Sequence, residues 1–77
     1  MTSKLPVLKG REVLRALRKA GFFVDHIRGS HHILVHKDDP ERMLSLPVHA
    51  GKDIKKGTLK AIFEQAGLTS EEFRKRL

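Results

Sequence analysis

The spacing of the apolar residues changes twice along this 77-residue chain, and that change restricts the fold more than any other feature. Two stretches have apolar residues three or four positions apart, the period of a helix with one buried face. They are Val13, Leu14 and Leu17 within residues 10–20, and Leu59, Ile62, Phe63 and Ala66 further along. Gly21 and Gly67 follow these stretches, and glycine commonly ends a helix. We therefore predict two helices on either side of a different central region.

The central region has the composition and turn signals of three β-strands. We predict strands over residues 22–28, 31–36 and 42–48, with Phe23 and Ile27 on one side of the first strand. Gly29-Ser30 is a two-residue turn signal, and residues 37–41 are dense in turn-forming side chains. The three strands should therefore form an antiparallel meander.

A last short helix is predicted over residues 70–76. Thr69 and Glu72 have the spacing of a reciprocal capping pair at a helix start, and Phe73 can pack back on the core. A helix, three strands and further helices, in this order, predict an α+β fold with the helices on one face of the sheet. A chain of this length forms one small domain, which we assign to residues 1–77.

The charge of the chain favours a polyanionic partner. The net charge is +7, and residues 1–37 carry eight basic side chains against two acidic ones. Such an excess suits nucleic acid or an acidic protein surface. The absence of cysteine excludes disulfide scaffolds and thiol nucleophiles, and the short apolar runs give no membrane span. We expect a cytoplasmic protein.

Five histidines are the candidates for chemistry. His32 and His36 share a strand face but lie about 13 Å apart, too far for one zinc ion with ligands at about 2 Å. We therefore predict no metal or other cofactor. A histidine can instead act as a general acid or base, and RNA supplies a suitable 2′-hydroxyl. The alternative is that these are ordinary strand histidines, and we interpret His26 and His36 as solvated strand residues.

A basic loop precedes the second long helix. Lys52, Lys55 and Lys56 lie next to a helix N-terminus, whose free N–H groups favour a phosphate. The loop is therefore a candidate phosphate-binding segment. A simply solvated loop is the alternative.

Four short motifs occur in an order that resembles the HicA (YcfA-like) toxins. The first two are Gly29-Ser30-His31-His32 and the Pro47-x-His49 segment. The last two resemble the start and the end of the family's second long helix: Lys56-Gly57-Thr58-Leu59 and Gln65-Ala66-Gly67-Leu68. The resemblance extends from about Lys9 to Phe73, nearly the whole chain.

The resemblance implies a double-stranded-RNA-binding-like α-β-β-β-α fold and an mRNA interferase that is silenced by a HicB antitoxin. It also implies one catalytic histidine after the Gly-Ser turn. By position this residue is His31, and His32 is the alternative because some members of the family have their histidine one place later. The remaining candidates for RNA binding are Gly29, Ser30, Arg28, His49 and the three loop lysines.

Two other functions remain open from the sequence. A non-catalytic module for double-stranded RNA would use the same basic surface without cleaving. A protein-interaction domain would bind an acidic partner and have no affinity for RNA. The non-catalytic module differs from a ribonuclease only in the role of the histidine. The protein-interaction domain differs because it does not bind RNA.

Overall fold

The computed structural model describes residues 7–77, so residues 1–6 of the predicted domain lie outside the described part. Its elements are α1 (Gly10–Lys19), β1 (Phe22–Arg28), β2 (His31–His36), β3 (Asp39–Pro47), α2 (Lys56–Ala66) and α3 (Ser70–Arg74). The strands form one antiparallel sheet in the order β1-β2-β3. This is the predicted α+β fold, a double-stranded-RNA-binding-like α-β-β-β-α arrangement with a short C-terminal helix. Within residues 7–77, no helix has the length and apolarity needed to cross a membrane.

One core lies between the sheet and the helices, and both predicted helical stripes contribute to it. The buried side chains of α1 and α2 are Val13, Ala16, Leu17, Leu59, Ile62, Phe63 and Ala66, and they meet Leu34, Leu44 and Leu46 of the sheet. Phe73 of α3 is fully buried, with its ring centroid 4.3 Å from that of Phe63. Thr69 and Glu72 form the predicted capping pair, and hydrogen bonds from the backbone and the side chain of Thr69 lower the pKa of Glu72.

A β-bulge in β1 changes which residues share a face. Val24 pairs with Leu34, but His26 pairs with the adjacent Ile33, so Asp25 is an extra residue in the strand. An extra residue reverses the alternation beyond it. Ile27 therefore lies on the same side of the sheet as its partner His32, at the end of the strand where it is 56% exposed, while Phe23 is on the opposite side. The prediction that Phe23 and Ile27 share a side is wrong for this reason.

The connection between β2 and β3 is shorter than predicted. β3 begins at Asp39 rather than Arg42 and ends at Pro47, one residue before the predicted end. The register shifts between Val35 and His36, so residues 40–42 form an irregular part of the strand. Pro40 fits there because β3 is an edge strand, where a missing N–H breaks no ladder bond. Residues 37–41 are rich in turn-forming side chains, and for this reason the sequence predicted a turn where β3 begins.

His36 is a structural residue, and its interpretation as a solvated strand histidine is wrong. Its Nε2 donates to the carbonyl oxygen of Ala20 at 3.1 Å, and its Nδ1 accepts from the backbone N–H of Asp38 at 3.1 Å. Its ring also meets Phe22 edge-on. One neutral tautomer satisfies both bonds, so His36 connects the end of α1 to the β2–β3 turn. His26 is exposed, as predicted, and its Nδ1 lies 2.8 Å from a carboxylate oxygen of Asp25.

Candidate active site

The Gly29-Ser30 turn brings the start of the central strand into contact with both edge strands. Gly29 has a φ of 57°, a left-handed conformation that glycine adopts without steric cost. Immediately after the turn, His31 pairs with Arg28 of β1 and with Pro47 of β3. The predicted turn is therefore present, and it places the histidines where the ends of all three strands meet.

His31 and His32 lie on opposite faces of the sheet. His32 pairs with Leu46, which is fully buried, so its side chain is on the core-facing side. His31 pairs with Pro47 and lies with Arg28 on the outer side, where both are exposed. His32 is partly buried, and its Nδ1 is shielded from solvent without a hydrogen-bond partner among the described residues. The two candidate histidines therefore have different environments.

The loop after β3 brings His49 to the Gly-Ser turn. The Nε2 of His49 is 3.4 Å from the Oγ of Ser30, and the backbone N–H of Val48 donates to the carbonyl oxygen of Ser30 at 2.7 Å. This backbone bond continues the pairing of β2 with β3 beyond His31 and sets Ser30 opposite Val48, whose side chain packs against the core, so Ser30 lies on the same side of the sheet as His32. His32 and the Ser30–His49 contact therefore lie on the core-facing side, and we call these three residues the histidine cluster.

The start of α1 holds this loop in place. The N–H of Ile54 donates to the carbonyl oxygen of Leu8 at 2.8 Å, and the ammonium of Lys9 lies 3.1 Å from Asp53. The ion pair is half-exposed and contributes at most about 1 kcal/mol. Gly10 allows close approach, since a Cβ there would lie 3.0 Å from the carbonyl oxygen of Pro47. The loop position thus depends on backbone contacts between parts of the chain far apart in sequence.

Basic side chains flank His49 on two sides. Lys52 and Lys55 line one groove together with His49, and Lys9 and Arg11 line a second groove that His49 also borders. Lys56 is exposed as the first residue of α2 and lies outside these linings. The first turn of α2 has no acidic residue, and its N-cap residue, Lys55, makes no capping hydrogen bond through its side chain. This end of α2 therefore combines free N–H groups with lysine charge, which suits an anion.

Arg11 was not among the residues predicted from the sequence. Arg11 belongs to the exposed face of α1 and has no local motif around it. Only the packing of the α1 start against the β3–α2 loop brings it beside His49. A basic residue at the start of an amphipathic helix is too common a feature to have identified it.

The predicted residues therefore fall into two groups. Ser30, His49, Lys52 and Lys55 come together on the side of His32, whereas His31 and Arg28 lie on the outer face. In the described part of the chain, no three histidine or acidic side chains are grouped as metal ligands would be. The arrangement can bind an anion and offers imidazole groups beside it.

Comparison with known proteins supports the resemblance that the motifs suggest. A family model described as the HicA toxin of bacterial toxin–antitoxin systems matches residues 10–68. A search of curated proteins gave no match. The matched segment begins at the first residue of α1 and ends two residues after α2, so it includes every candidate site residue and excludes α3.

Proposed function

The chain belongs to the HicA toxin family of bacterial toxin–antitoxin systems, and on this premise we propose that it is a metal-independent endoribonuclease that cleaves mRNA. The reaction is the attack of a 2′-hydroxyl on the adjacent phosphate, with one histidine as the general base. His32 is the residue that the geometry supports better, and His31 is the alternative. The observation that carries the proposal is the histidine cluster beside lysines of the β3–α2 loop.

The choice of His32 rests on what surrounds each histidine. A general base must be held within hydrogen-bond reach of the proton that it takes. His32 is partly buried and on the same side of the sheet as Ser30 and His49, next to the basic loop. His31 is exposed on the other side, where Arg28 is its basic cross-strand neighbour. His32 therefore has the more complete surroundings for binding and reacting with a phosphodiester.

The phosphate is bound by the basic residues around the cluster. Lys52 and Lys55 supply positive charge next to His49, and Lys56 adds charge at the start of α2. These groups would also stabilise the charge that develops on the phosphate oxygens during attack. Gly29 allows the tight turn, the hydroxyl of Ser30 can bond to a phosphate or to His49, and Arg28 would contact RNA at the outer edge.

Family membership implies an antitoxin partner. We propose that this partner is a HicB-type protein that covers the histidine cluster with an acidic surface. The substrate is mRNA, and the cytoplasm is therefore the place of action. Neither the cleavage of mRNA nor the binding of the antitoxin requires a cofactor in this reaction scheme.

The second candidate function is a double-stranded-RNA-binding module without catalysis. The observation that favours it is the fold, whose helix–sheet arrangement is that of double-stranded-RNA-binding domains. Such a module would bind duplex RNA largely by shape and backbone contacts. It would leave the RNA intact under all conditions.

Cleavage of matched RNA strands tests the ribonuclease proposal. We expect the purified protein to cut an RNA strand and to leave intact the same strand with 2′-deoxy nucleotides, because the 2′-oxygen is the nucleophile. Cleavage should be unchanged in the presence of EDTA. Gel analysis of end-labelled strands provides the measurement. Cleavage of the deoxy strand, or inhibition by EDTA, would contradict the mechanism, and intact RNA would favour the binding module.

The loop lysines should dominate the salt dependence of RNA binding. Each phosphate contact contributes a slope of about −0.7 to log K against log salt for single strands, so replacing Lys52, Lys55 and Lys56 with Ala should reduce the slope by about 2. Fluorescence anisotropy across a salt series measures it. The matched control replaces three exposed basic residues outside this region, namely Lys19, Arg74 and Lys75. Equal slopes for the two triple variants would show that the loop lysines are only solvated.

A further inference from the structure

Transesterification of RNA requires two proton transfers at opposite ends of the reacting phosphate. The attacking 2′-hydroxyl loses a proton, and the 5′-oxygen gains one as it leaves. A single imidazole cannot be within hydrogen-bond distance of both oxygens in a geometry where they lie roughly in line through phosphorus. The base proposed above therefore leaves the second proton transfer without a donor.

His49 is placed to supply this second proton. It is exposed, borders the grooves on both sides of the loop, and approaches Ser30 through its Nε2. Ser30, which His49 contacts, is two residues from His32 and lies on the same side of the sheet, a separation of roughly 7 Å along the chain. Each imidazole must come within about 3 Å of its oxygen, so a phosphodiester bound between His32 and His49 would have one imidazole at each end.

From this geometry we infer that His49 is the general acid of the proposed ribonuclease reaction, acting opposite His32. The inference rests on the proposed function. The 2′-hydroxyl gives its proton to His32, and the 2′-oxygen forms a bond to phosphorus. The bond from phosphorus to the 5′-oxygen breaks, and the imidazolium of His49 gives its proton to that oxygen. The products are a 2′,3′-cyclic phosphate and a free 5′-hydroxyl.

Ser30 is a positioning residue in this scheme. Its hydroxyl holds the Nε2 of His49 at 3.4 Å, a long contact that the leaving oxygen can replace when RNA binds. Lys52 and Lys55 border the same groove and face the charge that develops on the phosphate. His49 therefore has an orienting partner and an electrostatic environment suited to protonating a leaving alkoxide.

Two RNA substrates that differ at one atom test the inference. In the first, the scissile bond is the natural bond to the 5′-oxygen, and in the second a sulfur atom replaces that oxygen. The pKa of a thiol is far below that of a hydroxyl group, so a thiolate leaves without being protonated. His49→Ala should lower cleavage of the natural substrate about 10²- to 10⁴-fold and should lower cleavage of the sulfur substrate by less than about tenfold.

Three comparison variants make the result specific. His32→Ala removes the base and should lower cleavage of both substrates. His49→Gln keeps a side chain that can bond to Ser30 but cannot serve as an acid, so it should behave like His49→Ala. His26→Ala is the matched control, since His26 is exposed and its hydrogen-bond partner is the neighbouring Asp25, and it should change neither rate.

Equal losses on the two substrates, or no loss on the natural one, would overturn the role of His49 while leaving the ribonuclease function intact. A wild-type protein inert on both substrates would overturn the ribonuclease function and the role of His49 with it.

Discussion

Replacing His32 with Ala should lower the rate of RNA cleavage by about 100- to 10,000-fold, the usual contribution of one general acid–base group. Binding of uncut RNA should change little, because the phosphate contacts come from lysines of the loop. Single-turnover cleavage and anisotropy binding on the same RNA separate the two effects. Because His32 is partly buried, His32→Gln provides a second variant of similar size, and circular dichroism checks that both variants fold.

His31→Ala is the decisive comparison for this assignment. His31 is exposed and adjacent to His32 in sequence, but on the other face of the sheet. We expect its loss to change the rate by no more than a few-fold. If His31→Ala abolishes cleavage and His32→Ala does not, the base is on the outer face, and the histidine cluster has another role.

Association with the antitoxin should depend strongly on salt. A HicB-type partner with an acidic surface would be steered by Arg11, Lys52 and Lys55, which surround the site it must cover. Such steering raises association rates by about 10- to 1,000-fold. Charges further apart than about 8 Å are largely screened at physiological ionic strength. Stopped-flow measurements should therefore show a steep fall in the association rate with added salt and a smaller change in the dissociation rate.

Charge-matched variants show which surface residues cause the salt dependence of the association rate. Arg11→Ala with Lys52→Ala should slow association at low salt, whereas Arg74→Ala with Lys75→Ala, which removes the same charge elsewhere, should not. An association rate that does not respond to salt would mean that the antitoxin silences the toxin from another surface.

Local patterns in the sequence were sufficient to predict the order and type of the elements. The helical stripes that include Leu17 and Phe63, the Gly29-Ser30 turn and the Thr69–Glu72 cap are all present in the structure. Each depends on residues within a few positions of one another, and local preferences and periodicity act over this range. The limits of β3 and the bulge at Asp25 depend on pairing with another strand, and were missed.

The roles of the histidines could not be predicted from local sequence patterns, because they depend on tertiary contacts. His36 has a structural role because the end of α1 and the β2–β3 turn both reach its ring. The catalytic assignments of His31 and His32 stay predictions, and what separates the two residues is a cross-strand pairing. Arg11 and His49 come together only because the β3–α2 loop packs against the start of α1.

The sequence by itself determined the fold class, the family and the short list of candidate residues for binding and cleaving RNA. These follow from periodicity, composition and motifs, which are properties of neighbouring residues. Only the tertiary structure decided which of those residues share a site. Alternation along β2 separates His31 from His32, and the loop after β3 brings His49 to Ser30, 19 positions away in sequence. Such long-range placement comes from packing of the whole core, because burying the apolar faces of α1 and α2 on one side of the sheet determines where every loop must run.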